Sequence, residues 1–159
     1  MGKGRPAMRE ATTRDVPDLL VPFDGSSAAE RVLRSACRTA RRDATALTVL
    51  CVAMLPADDA DVPTPDVEAT VLNALVRAQA VCREEGVVGV FKLNHARNLA
   101  DAILADARRS GADLIAMSLE EHERGQTALM SDTVQAVLAA APCTVLLTDP
   151  AAELPPRAP

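Results

Sequence analysis

Residues 18–54 read DLLVPFDGSSAAERVLRSACRTARRDATALTVLCVAM, and the fold turns on them. The run from Asp18 to Asp24 is short, apolar and closed by a polar turn, the pattern of a buried strand. Gly25 breaks it. Ser27 followed by Glu30 has capping-box spacing and starts a helix. Val32, Leu33, Ala36, Cys37 and Ala40 recur at helical spacing and carry that helix to about Arg42. Ala46 to Met54 is a second continuous apolar run with β-branched Thr48, Val49 and Val52. Neither strand alternates with polar residues, so both are expected to be buried on both faces. A helix between two such strands makes a right-handed crossover and a parallel pair.

The rest of the chain repeats the unit. Leu55 to Pro65 holds three Pro and three Asp and reads as a surface loop. Thr64 and Pro65 read as N-cap and first position of a second helix. Its expected apolar stripe is Val67, Val71, Leu72, Leu75, Val76 and Cys82, and Gly86 ends it. Val87 to Leu93 is a third strand, with Gly89 inside it marking a bulge or a close helix contact. Ala96, Leu99, Ala100, Ile103, Leu104 and Ala107 form a third helical stripe, closed by Gly111. Asp113 to Ser118 is a fourth strand and Leu119 to Met130 a charged loop. Ser131 or Asp132 caps a fourth helix, which Pro142 stops. Cys143 to Thr148 is a fifth strand. Residues 1–17 read as a flexible tail, 18–149 as one domain and 150–159 as a Pro-rich tail. The predicted class is α/β: a doubly wound, five-stranded parallel sheet with helices on both faces. Ligands of such sheets sit beyond the carboxyl ends of the strands, at the switch point.

Composition excludes several functions. The chain has 159 residues, enough for one domain with one sizeable core. Two Phe and no Trp or Tyr leave no stacking platform for single-stranded nucleic acid, and a net charge of −5 disfavours a phosphate backbone. No apolar run approaches the ~20 residues that cross a bilayer. Cys37, Cys51, Cys82 and Cys143 form no C-x-x-C pair and sit among apolar neighbours, which predicts buried free thiols in a reducing cytoplasm. Glu121-His122-Glu123 is a solvated charged run rather than a converging ligand set. Ser26 and Ser27 are helix caps rather than nucleophiles, and no Gly-x-Ser-x-Gly elbow is present. No triad, acid pair or metal cluster emerges, so the chain is not expected to be an enzyme.

Two blocks carry a family resemblance. Leu20-Val21-Pro22-Phe23-Asp24-Gly25-Ser26 with the Ala-rich helix behind it resembles the opening of the universal stress protein family. Asp113-Leu114-Ile115-Ala116-Met117, a long loop, and Ala141-Pro142-Cys143-Thr144-Val145-Leu146 resemble its closing half. The resemblance spans about residues 18–149 and implies strand order 3-2-1-4-5. It also implies a nucleotide site, since many members bind ATP. Adenosine would lie near Pro22, Asp24, Val52 and Met117, and phosphates on the loop after the fourth strand. Asp24 has an equal alternative as a solvated carboxylate capping the turn before the first helix.

ATP-binding members carry G-x-x-G-x9-G-[ST] on that loop, where glycines let backbone N–H groups approach phosphate oxygens at a helix start. Here the four positions read Ser118, Glu121, Ser131 and Asp132. Glu121 and Asp132 put carboxylates where phosphates would sit. At ~6 Å and an effective dielectric of ~20, each such pair repels by roughly 3 kcal/mol. Two pairs offset much of the ~8 kcal/mol of a micromolar affinity. The expectation is a stress-linked regulatory or binding module in the cytoplasm, without a cofactor and without ATP binding of the usual kind. The alternatives are an ATP- or AMP-binding member, with Mg and slow hydrolysis if ATP, and an accessory subunit docking on an unidentified protein. The fifth strand lies at the sheet edge in this order, and Val145, Leu146 and Leu147 carry no blunting charge or Pro. Such an edge pairs with another strand, and two copies pairing there make a homodimer. No nucleic acid and no membrane is expected as partner.

Overall fold

A computed structural model describes residues 17–119 and 131–148. The expectations for the two tails and for Glu121 therefore lie outside the described residues. The chain forms β1 (Asp18–Pro22), α1 (Ser27–Asp43), β2 (Ala46–Met54), α2 (Pro65–Glu84), β3 (Val90–Ala96), α3 (Leu99–Ser110), β4 (Leu114–Ser118), α4 (Asp132–Ala140) and β5 (Thr144–Thr148). All strand pairs are parallel and the sheet order is β3-β2-β1-β4-β5. This is the expected doubly wound fold and the expected strand order.

Alternation along the strands divides the core in two. Leu19, Val21, Phe23, Val49 and Cys51 face α1 and α2 in one buried cluster. Leu20, Leu50, Ile115 and Met117 face α3 and α4 in the other. The central strands are apolar without a break because each face has its own helical layer. The edges differ: β3 has no buried residue, and Thr148 is the only buried residue of β5.

Several sequence expectations need correction. The N-cap of α1 is Ser26, whose Oγ accepts the Ala29 N–H at 3.1 Å; Ser27 is the first helical residue, so the Ser27–Glu30 spacing is not a capping box. On α2 the buried residues are Ala74, Ala78, Val81 and Cys82, whereas Leu72 and Val76 are exposed by 46% and 63%. Small Ala side chains let α2 lie close to its neighbours; Val71, Leu75 and Cys82 of the expected stripe pack on this core, while Leu72 and Val76 turn outward. The third strand begins at Val90, not Val87. The Val87 N–H donates to the Cys82 carbonyl at the end of α2, and Val88 is fully open to solvent. The strand then continues through Asn94 and His95 to Ala96, an edge position that tolerates polar residues. Gly89 precedes the strand and marks neither a bulge nor a helix contact: a Cβ there would meet the Phe91 ring at 3.4 Å and the Leu47 carbonyl at 3.5 Å. Ala96 consequently belongs to β3, and Asn98 caps α3.

Candidate functional site

At the carboxyl ends of β1 and β2 a cleft of about 320 Å³ opens against the first half of α2. Phe23 and Asp24 enter it from the end of β1, Val52 and Met54 from β2, and Asp66, Thr70 and Ala74 from α2. The local sequence explains the cleft. The Phe23 N–H donates to the Leu50 carbonyl at 2.9 Å and holds the β1 exit against β2. Gly25 turns the chain at φ 83°, and a Cβ there would lie 3.3 Å from the Ala74 Cβ. Only glycine combines that backbone with that approach. Asp24 is exposed, and its Oδ1 accepts the Ser26 N–H at 2.9 Å. One carboxylate oxygen is thus engaged in the turn before α1, the capping role expected as one of its two readings.

The cleft walls are mainly apolar, with Asp24 and Asp66 as the charged lining residues and no Lys or Arg among them. Such a surface suits a flat apolar group with hydroxyls for the carboxylates to accept from. It does not suit a bare anion.

The sequence-derived residues are distributed unevenly around it. Asp24 and Val52 line the cleft. Pro22 ends β1 half-buried, in register with Leu50, and does not line it. Met117 is buried in the α3/α4 core, in register with Leu147 of β5. Ser118 is the last residue of β4. Ser131 is the N-cap of α4: its Oγ accepts the Val134 N–H at 3.2 Å. Asp132 is therefore the first helical residue and not the cap, its carboxylate lying in the first turn. The N-terminus of α4 has its own acceptor and its own negative charge.

Reading the sequence alone missed Phe23, Met54, Asp66, Thr70 and Ala74 as lining residues. The available signal was Gly25, whose lack of a side chain marks a close approach. Arg97 was also missed. It donates to the Pro56 carbonyl at 2.8 Å and the Ala60 carbonyl at 3.2 Å, tying down the loop between β2 and α2. Among the described residues no three His, Cys, Asp or Glu side chains converge to hold a metal, and no helix is long and apolar enough to cross a membrane. Cys37, Cys51 and Cys82 are buried free thiols as expected, while Cys143 is only half-buried because it precedes the edge strand. Burial pushes the Cys51 thiol up to about 11.

Comparison with known proteins places this geometry in context. The model of the universal stress protein family matches residues 17–149. No curated protein matches the chain. A universal stress protein family structure from Burkholderia pseudomallei is 27% identical with a TM-score of 0.64, over 82% of this chain and 94% of that one. A universal stress protein from Archaeoglobus fulgidus in complex with dAMP is 23% identical with a TM-score of 0.65, over 83% and 96%. A universal stress protein in complex with cAMP is 16% identical with a TM-score of 0.67, over 86% and 98%.

Proposed function

Because the chain belongs to the universal stress protein family, we propose that it is a stress-linked regulatory or binding module of that type. It acts as a homodimer in the cytoplasm, does not bind ATP in the usual way and is not an enzyme. The observation that carries this reading is the occupied N-terminus of α4. Ser131 Oγ accepts one of its free amides, and Asp132 sets a carboxylate beside the others. A triphosphate would have to displace the first and approach the second. Mass spectrometry of small molecules released from the freshly purified, denatured protein tests it. Recovery of stoichiometric ATP would overturn it.

A second reading is favoured by the ligands in two nucleotide-bound neighbours, dAMP and cAMP, each an adenine nucleotide with a single phosphate. The apolar cleft with Asp24 and Asp66 matches a nucleoside better than a triphosphate. On this reading AMP or a related nucleotide occupies the cleft, and the same experiment recovers it in place of ATP. The accessory-subunit alternative predicts release of no small molecule and capture of a protein partner from native lysate.

A further inference from the structure

We infer that Cys37 and Cys82 form a modification site, a thiol pair that closes into an intramolecular disulfide when a peroxide oxidises it. The two Sγ atoms lie 3.6 Å apart across the contact between α1 and α2, in hydrogen-bond contact. Both residues are buried in the cluster that also contains Ala36, Ala40, Ala74 and Ala78 of the same two helices. These small side chains allow the helix axes to approach closely. The sulfurs must close by about 1.5 Å to reach bonding distance.

The chemistry follows from the pairing. The contact couples the two thiols, so the first proton lost from the pair leaves a thiolate that accepts a hydrogen bond from the remaining thiol. Cys82 lies two residues from the end of α2, so it is the sulfur uncovered first when that turn opens and the one that attacks. Its thiolate takes an oxygen from hydrogen peroxide, the O–O bond breaks, and the released hydroxide leaves as water, giving a sulfenic acid. The Cys37 sulfur then attacks that sulfur, the S–S bond forms, the S–O bond breaks, and a second water carries off the Cys37 proton. Two thiols lose two electrons and one peroxide becomes two waters. Access comes from opening at the last turn of α2, since Cys82 lies just before the helix end at Glu84. Reaction is therefore slow, and burial pushes up the thiols of Cys51, to about 11, and of half-buried Cys143, so both compete poorly.

The native full-length chain is treated with hydrogen peroxide, quenched with catalase, alkylated after denaturation, digested without reductant and analysed by mass spectrometry. The expected result is a linked Cys37–Cys82 peptide, loss of two of four alkylatable thiols per chain, a mass lower by about 2 Da, and full reversal by dithiothreitol. The oxidised protein melts several degrees higher, because the bond joins positions 45 residues apart. Cys37→Ala and Cys82→Ala each abolish the loss of the paired thiols. Sulfinic or sulfonic products at either cysteine in place of the link overturn the inference, as do only intermolecular links. Hydrogen exchange run in parallel shows when the amides around Cys82 have opened. Four intact thiols after many such openings overturn it equally.

Discussion

Glu30 of α1 and Arg77 of α2 are joined by two hydrogen bonds, Nε to Oε2 at 2.9 Å and Nη2 to Oε1 at 2.6 Å. Arg34 adds two more hydrogen bonds to Glu30, from Nε at 3.2 Å and from Nη2 at 2.8 Å, and reaches on to Glu84 and Glu85 at the end of α2. The Arg77 hydrogen bonds, with help from Arg34 and against the cost of burial, hold the Glu30 carboxyl at about 2 rather than 4.5. The sign is fixed by this lowering. The stabilisation is fully present above the unfolded value near 4.5 and is lost as pH falls toward 2. Arg77 is largely solvated, so screening keeps the effect modest. Glu30→Gln is expected to cost about 1 kcal/mol at pH 7. Urea melts at pH 7 and pH 3 should show the wild-type advantage shrinking by more than half at the lower pH.

The end of α1 is strained. Ala44 caps it in the left-handed region, at φ 50° and ψ 44°, with its N–H donated to the Ala40 carbonyl. That conformation costs a side chain with a Cβ roughly 1–2 kcal/mol, and glycine takes it without penalty. Glycine also gives the unfolded chain more freedom, which offsets part of the gain. Ala44→Gly is expected to stabilise the protein by about 0.5–1 kcal/mol. Chemical denaturation should show a higher midpoint with an unchanged slope.

Alternation of apolar runs with helical periodicity was enough to order all nine elements, because each central strand needs two covered faces. Edges and caps were less legible. β3 starts late because Val87 still completes the α2 end, and nothing in a hydrophobic run marks that boundary. The α2 stripe was misread because Ala is neutral to periodicity: Ala74 and Ala78 are core while Leu72 and Val76 face water. The cleft was half visible. Asp24 and Val52 lie in it, but its far wall comes from α2, and contacts between distant elements leave no local pattern. The Cys37–Cys82 contact was illegible for the same reason, at a separation of 45 residues.

A homodimer along β5 gives a third test. Among the described residues β5 pairs only with β4, and the Leu119 N–H donates to the Thr148 carbonyl, so Thr148 directs its backbone groups toward β4. Direction alternates along a strand, so Val145 and Leu147 turn their N–H groups to the open edge. Light scattering on the eluting protein should give about twice the 16.7 kDa chain. Val145→Pro removes an outward N–H without touching the ladder to β4, and should yield a folded monomer. A wild-type monomer at micromolar concentration would count against the dimer.

The loop after β4 gives the last test. Wild-type protein is expected to bind ATP no more tightly than roughly millimolar, about 4 kcal/mol. Replacing Ser118, Glu121 and Ser131 by Gly and Asp132 by Ser removes two carboxylates and frees the Val134 amide now bonded to Ser131 Oγ. The change should not unfold the protein. Glycine is a good N-cap, so the substitution at Ser131 costs only a few tenths of a kcal/mol. Calorimetry should then register Mg-dependent ATP binding in the variant, while adenosine binding in the cleft at Asp24 and Val52 is little changed. Micromolar ATP binding by the wild type would refute exclusion by the loop. Absence of ATP binding in both proteins would move the block to the cleft itself, where Phe23 and Ala74 crowd the space beside Gly25. Phe23→Leu in the same background separates the two: ATP affinity appearing only with that change assigns the exclusion to the cleft wall.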